Sequence, residues 1–451
     1  MFDKEKWQKI NLSQYRDLKI KEKENDNSII EGISFENLLI KKGILSKIPF
    51  AIKDNFSIAE ETTTSASKII RNFIPNYNST IFLKLINEGA VPLFKSNLDE
   101  LAMGGTGLTS NYGPVYNPFN KKYILGGSSS GSNYLVADGT VSFSIGSDTG
   151  DSVRKPASFT GIVGFKPTWG LVSRNGLYDF APTWDTVAWF TKNIKESAIL
   201  LDILQGFDPL DQSSMHPKDK NYFENIEMNN EKYKIITIPS LEKDILDEEI
   251  LQDYKKAIEI LRKDGHEIIE ILDDDYKLLS SILVIYKVIS STEAFSCNSN
   301  LTGFHFGANF GKEGDYEDKV IHARTKGFGY EVKKRFLFSQ EAKYNDKNYY
   351  LKAVKLRRKV NEEINRILSK GDVLLIPSTP NLANNINNLN KIKFNNLLNS
   401  FLILFNSNGS PSLTMPITKN GHLSTAINFS SLPFNDKKIF KIANRLEELI
   451  K

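Results

Sequence analysis

Residues 126–157 read GGSSSGSNYLVADGTVSFSIGSDTGDSVRKPA. Two glycine-rich turns, 126–131 and 147–152, enclose a helix near 132–138 and a strand near 140–146. Further along, the strand–helix–strand alternation at 233–271 points to an α/β fold, in which helices pack on a sheet. The turns carry two serines, Ser128 and Ser152. Successive backbone N–H groups in a turn of the second kind can converge on an anion.

Upstream, PFAIKDNFSI (49–58) reads as a strand, apolar apart from Lys53 and Asp54 and the polar positions at its end. A threonine-rich loop follows at 62–67. STIFLKLINEGA (79–90) has helical spacing and stops near Gly89, and VPLFKSN then reads as a strand. The long Gly/Asn/Pro loop at 103–118 is of a length that is usually functional or disordered. Downstream, FKPTWG opens a loop running to about 190. NIKESAILLDILQG (193–206) is an amphipathic helix, and 233–271 alternates strand, helix and strand. Residues 276–369 are mainly helical, an insertion in the sheet's sequence. DVLLIPSTPN (372–381) is a buried strand, STAINF a last strand, and 435–450 a closing helix. Residues 1–35 read as a peripheral helical segment. With no repeat and no linker, the expectation is one domain over 1–451.

At 451 residues the chain can bury a large core, and 40% hydrophobic and 25% charged residues are ordinary for a globular protein. A net charge of +4 is compatible with a nucleic acid nearby without requiring one. The single cysteine, Cys297, excludes an internal disulfide and points to a reducing compartment. The first residues lack the apolar core of a secretory signal, and the longest apolar runs, such as FLILF at 401–405, are far too short for a bilayer. The expectation is therefore a cytoplasmic protein with no membrane partner. The five histidines show no metal spacing, so no metal is expected. KLRRK (355–359) reads as a solvated helix face.

A serine hydroxyl attacks a carbonyl only when a base takes its proton, and a lysine is such a base only when neutral. Burial lowers a lysine's pKa. The apolar neighbours of Lys53 suit that role, and an exposed lysine at a strand end fits the same residues. The turn before Ser152 fits an oxyanion site, and it equally fits a plain Gly/Asp turn. Residues 126–131 lack the Gly-Lys-Ser/Thr ending of a P-loop. Residues 127–131 also match the Gly-x-Ser-x-Gly nucleophile elbow, which would make Ser129 the nucleophile and need a late histidine, His422.

GGSSSGS, GSDTGDSVRKPAS and GIVGFKPTWG together resemble the signature of the amidase signature family, and PFAIKDNF resembles its lysine motif. Ser128 and Ser152 are 24 positions apart, the spacing of that family's two serines. The resemblance implies a central mixed β-sheet covered by helices on both faces. It implies Ser152 as nucleophile, Ser128 as the bridging serine after a cis peptide, and Lys53 as base. Oxyanion donors would be the amides around Thr149, Gly150 and Asp151. Within the family, TTTSASKII, LDELAMGGTGLTSNYGPVYNP, STEAFSCNSNL and FGYEVKKRFLFS resemble the ammonia-generating A-type subunits of tRNA-dependent amidotransferases. That likeness implies glutamine hydrolysis serving conversion of Glu-tRNA(Gln) to Gln-tRNA(Gln). It implies B-type and C-type partner subunits in a heterotrimer, misacylated tRNA met mainly through a partner, and ATP with Mg at a partner, with no cofactor in this chain. Arg335 would hold the substrate carboxylate, with Tyr286 and Ser129 as further contacts. Asn399 stands where the family has an acidic residue for the glutamine amino group. Asp151 and Ser130 replace glycines. A carboxylate at Asp151 opposes an oxyanion unless it points outward or pairs with Arg154 or Lys155. A stand-alone amidase for other carboxamides, and a catalytically weak scaffold protein within the complex, are the competing expectations.

Overall fold

The computed structural model describes residues 2–36, 38–227, 231–272, 276–305, 307–308, 310–311, 313–344, 348–391, 396–420 and 423–451. Among the described residues eleven strands form one mixed sheet. They are β1 (Ile29–Gly32), β2 (Pro49–Lys53), β3 (Val91–Ser96), β4 (Phe143–Asp148), β5 (Val163–Lys166), β6 (Thr186–Thr191), β7 (Lys234–Thr237), β8 (Glu267–Glu270), β9 (Val373–Pro377), β10 (Ser412–Asn420) and β11 (Leu423–Ser430). Their spatial order is β1-β3-β2-β4-β6-β5-β10-β11-β9-β7-β8. β2 runs parallel to β3 and β4, and β7 parallel to β8 and β9. The other pairs are antiparallel.

Helices cover both faces, so β2, β3 and β4 are buried along their whole length. Strands enclosed on two sides read as continuous runs rather than alternating ones. Phe50 and Ile52 of β2 enter a core shared with helices Thr80–Asn87, Ile194–Leu204 and Asp436–Ile450. Ala51 enters a second core under helices Ser130–Ala137 and Arg154–Thr160. Side chains alternate along a strand, so Lys53 shares the face of Ala51 and points toward the helix that follows Ser128. A third core joins β7 and β9 to helices Ile282–Cys297, Tyr330–Tyr344 and Tyr349–Leu368.

Several elements differ from the sequence reading. The N-terminal segment does hold two helices, Lys4–Gln8 and Leu12–Glu22, but residues 29–32 form the edge strand β1. β5 overlaps the start and β6 the end of the stretch expected to be loop, and β10 precedes the last strand. β5 and β6 are buried throughout, so they lack the alternation that marks a half-exposed strand. The strand expected at 140–146 runs from 143 to 148, which puts Ser147 and Asp148 on the strand end rather than in the turn.

Candidate active site

The end of β2 delivers Lys53 into a closed polar nest. Its Nζ lies 2.9 Å from Ser128 Oγ and 2.9 Å from Ser147 Oγ. Asn55 Nδ2 donates to the same Ser147 hydroxyl at 3.1 Å. The lysine is fully buried, which answers the question its sequence left open. Burial pushes its pKa down to about 7, while the charges of Asp99, Asp185 and Asp148 pull it back up.

Ser128 follows a cis peptide from Gly127, as the resemblance implied. A side chain at Gly127 would overlap the Asp99 carboxylate. That carboxylate accepts from the amides of Gly107 (3.1 Å) and Thr109 (3.0 Å), and the Asp99 amide donates to Ser128 O at 3.1 Å. The long loop at 103–118 is thereby tied to the first turn. Ser129 links the two turns: its amide donates to Ser152 O at 3.3 Å and its hydroxyl to Ser147 O at 3.0 Å. Gly146 leaves room for this, since a Cβ there would sit 2.8 Å from Ser129 Oγ. Ser129 is buried with its hydroxyl engaged, which does not suit a nucleophile, and His422 lies outside the described residues.

The second turn is held shut by a buried ion pair. Asp148 accepts from Arg154 Nη2 (2.8 Å), Arg154 Nε (3.1 Å) and the Val153 amide (2.9 Å). Arg154 also donates to Gly150 O at 2.7 Å and Leu402 O at 2.9 Å. Burial raises the Asp148 carboxyl, the Arg154 charge and its hydrogen bonds lower it, and the net position is below the usual carboxylate range. Thr149 Oγ1 donates to Asp185, which also takes the amides of Phe180 and Ala181, each at 2.9 Å. Among the described residues the amides of Gly150, Asp151 and Ser152 donate to no protein acceptor. Ser152 is 5% exposed at this turn.

The remaining expected residues lie around the second turn. The Tyr286 ring lies over Gly150, where a Cβ would meet Cζ at 3.2 Å. Tyr286 packs edge-on against Trp184 and Phe180, with ring centroids 5.4 and 6.5 Å away. Arg335 lies over the same Phe180, 5.4 Å from its centroid, and its buried Nε has no hydrogen-bond partner. Asp151 does not pair with Arg154, which Asp148 holds; its cation is Lys155, at 3.5 Å. Lys155 Nζ also donates to Asn399 Oδ1 at 3.1 Å. Burial raises the Asp151 carboxyl, and Lys155 acts against that rise. Asn399 also borders a cavity of about 800 Å³ lined by further asparagines. Ser147, Asn55, Asp99 and Asp148 lie inside the quoted motifs and Asp185 outside them, and what each does is set by contacts that the linear sequence does not display.

The family profile described as Amidase matches residues 36–440. The A-type subunit of glutamyl-tRNA(Gln) amidotransferase from Mycoplasma pneumoniae is 38% identical over 90% of this chain and 87% of its own length. Its counterpart of the same name from Staphylococcus saprophyticus is 35% identical over 94% of this chain and 88% of its own. Among solved structures, the A-type subunit of glutamyl-tRNA(Gln) amidotransferase from Thermotoga maritima is 31% identical, with a TM-score of 0.80 over 97% of this chain and 91% of that one. A 6-aminohexanoate cyclic dimer hydrolase shares the fold at 20% identity, with a TM-score of 0.82 over 98% and 94% of the two chains. Among the described residues no helix is long and apolar enough to cross a membrane.

Proposed function

This chain belongs to the amidase family, and from that premise we propose that it is the glutamine-hydrolysing subunit of a tRNA-dependent amidotransferase that converts Glu-tRNA(Gln) to Gln-tRNA(Gln). The observation that carries the reading is the buried Lys53, 2.9 Å from Ser128 and with a pKa near 7, behind the turn of Ser152. A neutral amine has two N–H donors and one lone pair. Donation to Ser147 leaves the lone pair free to accept the Ser128 proton. Ser128 then takes the Ser152 proton as Ser152 Oγ bonds to the side-chain amide carbon of glutamine. The turn amides, Gly150 and Asp151 among them, receive the oxyanion. The C–N bond breaks, the leaving nitrogen takes the proton back, and ammonia departs from an acyl-enzyme. Water attacks the ester by the same relay and releases glutamate. Arg335 holds the α-carboxylate, for which its planar fork is suited.

The name the relatives share supports an assembly with other subunits. In this reading B-type and C-type subunits complete a heterotrimer in the cytoplasm, a partner carries ATP and Mg, and misacylated tRNA is met mainly through that partner. The test is Ser152→Ala in the assembled complex. Glutamine-dependent amidation should fall at least a thousandfold while amidation driven by added ammonia persists. Persistence of the glutamine-dependent reaction would refute the catalytic assignment. Rapid hydrolysis of simple amides by the isolated chain, with no glutamine preference, would favour a stand-alone amidase.

A further inference from the structure

Two opposite charges lie near one phenol beside the second turn. Tyr286 lies over Gly150, directly before Asp151 in the chain, and shares the Phe180 ring with Arg335. Burial raises the Tyr286 phenol above its ordinary range. The Arg335 charge opposes that rise, and the Asp151 charge adds to it, so both groups bear on the same hydroxyl.

Neither charge is fully satisfied. The buried Nε of Arg335 lacks an acceptor among the described residues. The Asp151 side chain is 21% exposed and has one long contact, 3.5 Å to Lys155. A carboxylate offers about four acceptor positions, so most of its capacity is open. Lys155 also donates to Asn399 Oδ1 at 3.1 Å. That contact also engages the Asn399 oxygen, which makes Asn399 a poor acceptor for a substrate cation.

We infer that Asp151 is the specificity residue for the α-ammonium of the substrate, with Arg335 opposite it for the α-carboxylate, so that the site selects a zwitterionic amino acid amide. This rests on the glutaminase reading above. Asn399 and Lys155 act as positioning residues that aim the Asp151 carboxylate. The carboxylate beside the nucleophile thereby serves the incoming cation.

The experiment uses the assembled complex and three amides: glutamine, its desamino analogue 4-carbamoylbutanoate, and its decarboxy analogue 4-aminobutanamide. Asp151→Asn keeps the shape and removes the charge. KM for glutamine and for 4-aminobutanamide should rise roughly tenfold to a hundredfold, the range of one charge-assisted hydrogen bond. Discrimination against 4-carbamoylbutanoate, read as the ratio of its kcat/KM to that of glutamine, should narrow by the same factor. Arg335→Gln should give the mirror pattern, weakening glutamine and 4-carbamoylbutanoate but not 4-aminobutanamide. An equal loss on all three amides in Asp151→Asn would place the residue in the turn's chemistry and overturn the inference, as would no change on any. A wild-type complex that releases no ammonia from glutamine overturns the glutaminase reading itself, and the inference with it. Glutamine turnover with no discrimination against 4-carbamoylbutanoate leaves that reading standing and overturns only the Asp151 assignment.

Discussion

A lysine amine becomes a usable base near neutral pH here because it is enclosed, and the enclosure has named walls. Protonation of Lys53 removes its lone pair, so kcat/KM for glutamine should fall as pH drops through about 7, and a pH–rate profile of the assembled complex checks this. Ser147 holds the amine in register with Ser128. Ser147→Ala should lower kcat about ten- to a hundredfold with little change in KM, because the relay loosens while the substrate's charged contacts stay. Ser128, Ser152 and Lys53 were legible through their flanking motifs. Ser147 was not, although it lies inside the quoted stretch, because only the strand's extension to 148 and the lysine arriving from 94 positions upstream give it a role.

The turn that carries Ser152 depends on its clamp. Arg154 meets Asp148, Gly150 and Leu402 together, with both charges fully buried. Lysine has three donors on a point charge and cannot reproduce that fork. Arg154→Lys should lose about 3–5 kcal/mol of stability, the range for breaking a buried pair, readable by urea unfolding, and turnover with it. The elements themselves were unevenly legible. β2, β3, the strand–helix–strand run at 234–270 and the C-terminal helix stood out by apolar runs and helical spacing. β5 and β6 did not, being four and six residues long and covered on both faces. β1 was hidden among charged helical neighbours, since an edge strand with partly exposed residues carries little apolar signal.

Across the whole molecule a second lysine repeats the first one's predicament. Lys166 is fully buried, donates to Ser410 O at 2.6 Å and Pro167 O at 2.9 Å, and is likewise pushed down to about 7 by burial, with Arg154 adding to the fall. Both lysines have a folded pKa near 7 against 10.5 for the free side chain. Between those values the unfolded chain binds more protons than the folded one. Stability should therefore rise with pH from about 7 toward 10, by up to one proton per lysine, with the penalty complete below 7. Lys53→Met should remove about one proton from that slope, measured as unfolding free energy at pH 7.5, 8.5 and 9.5. An unchanged slope would mean that Lys53 stays charged when folded.

The groups assigned to attack rest on one part of the fold, and only part of the recognition set shares it. Lys53, Ser128 and Ser152 stand where β2, β4 and the two turns meet, whereas Tyr286 and Arg335 project from helices packed in the core around β7 and β9. Descent can therefore rewrite the helices without disturbing the relay beneath them. A lineage built on this plan can retune the carboxylate end of its amide by drift in residues 276–369, while the ammonium end, set by Asp151, stays tied to the turn that does the chemistry.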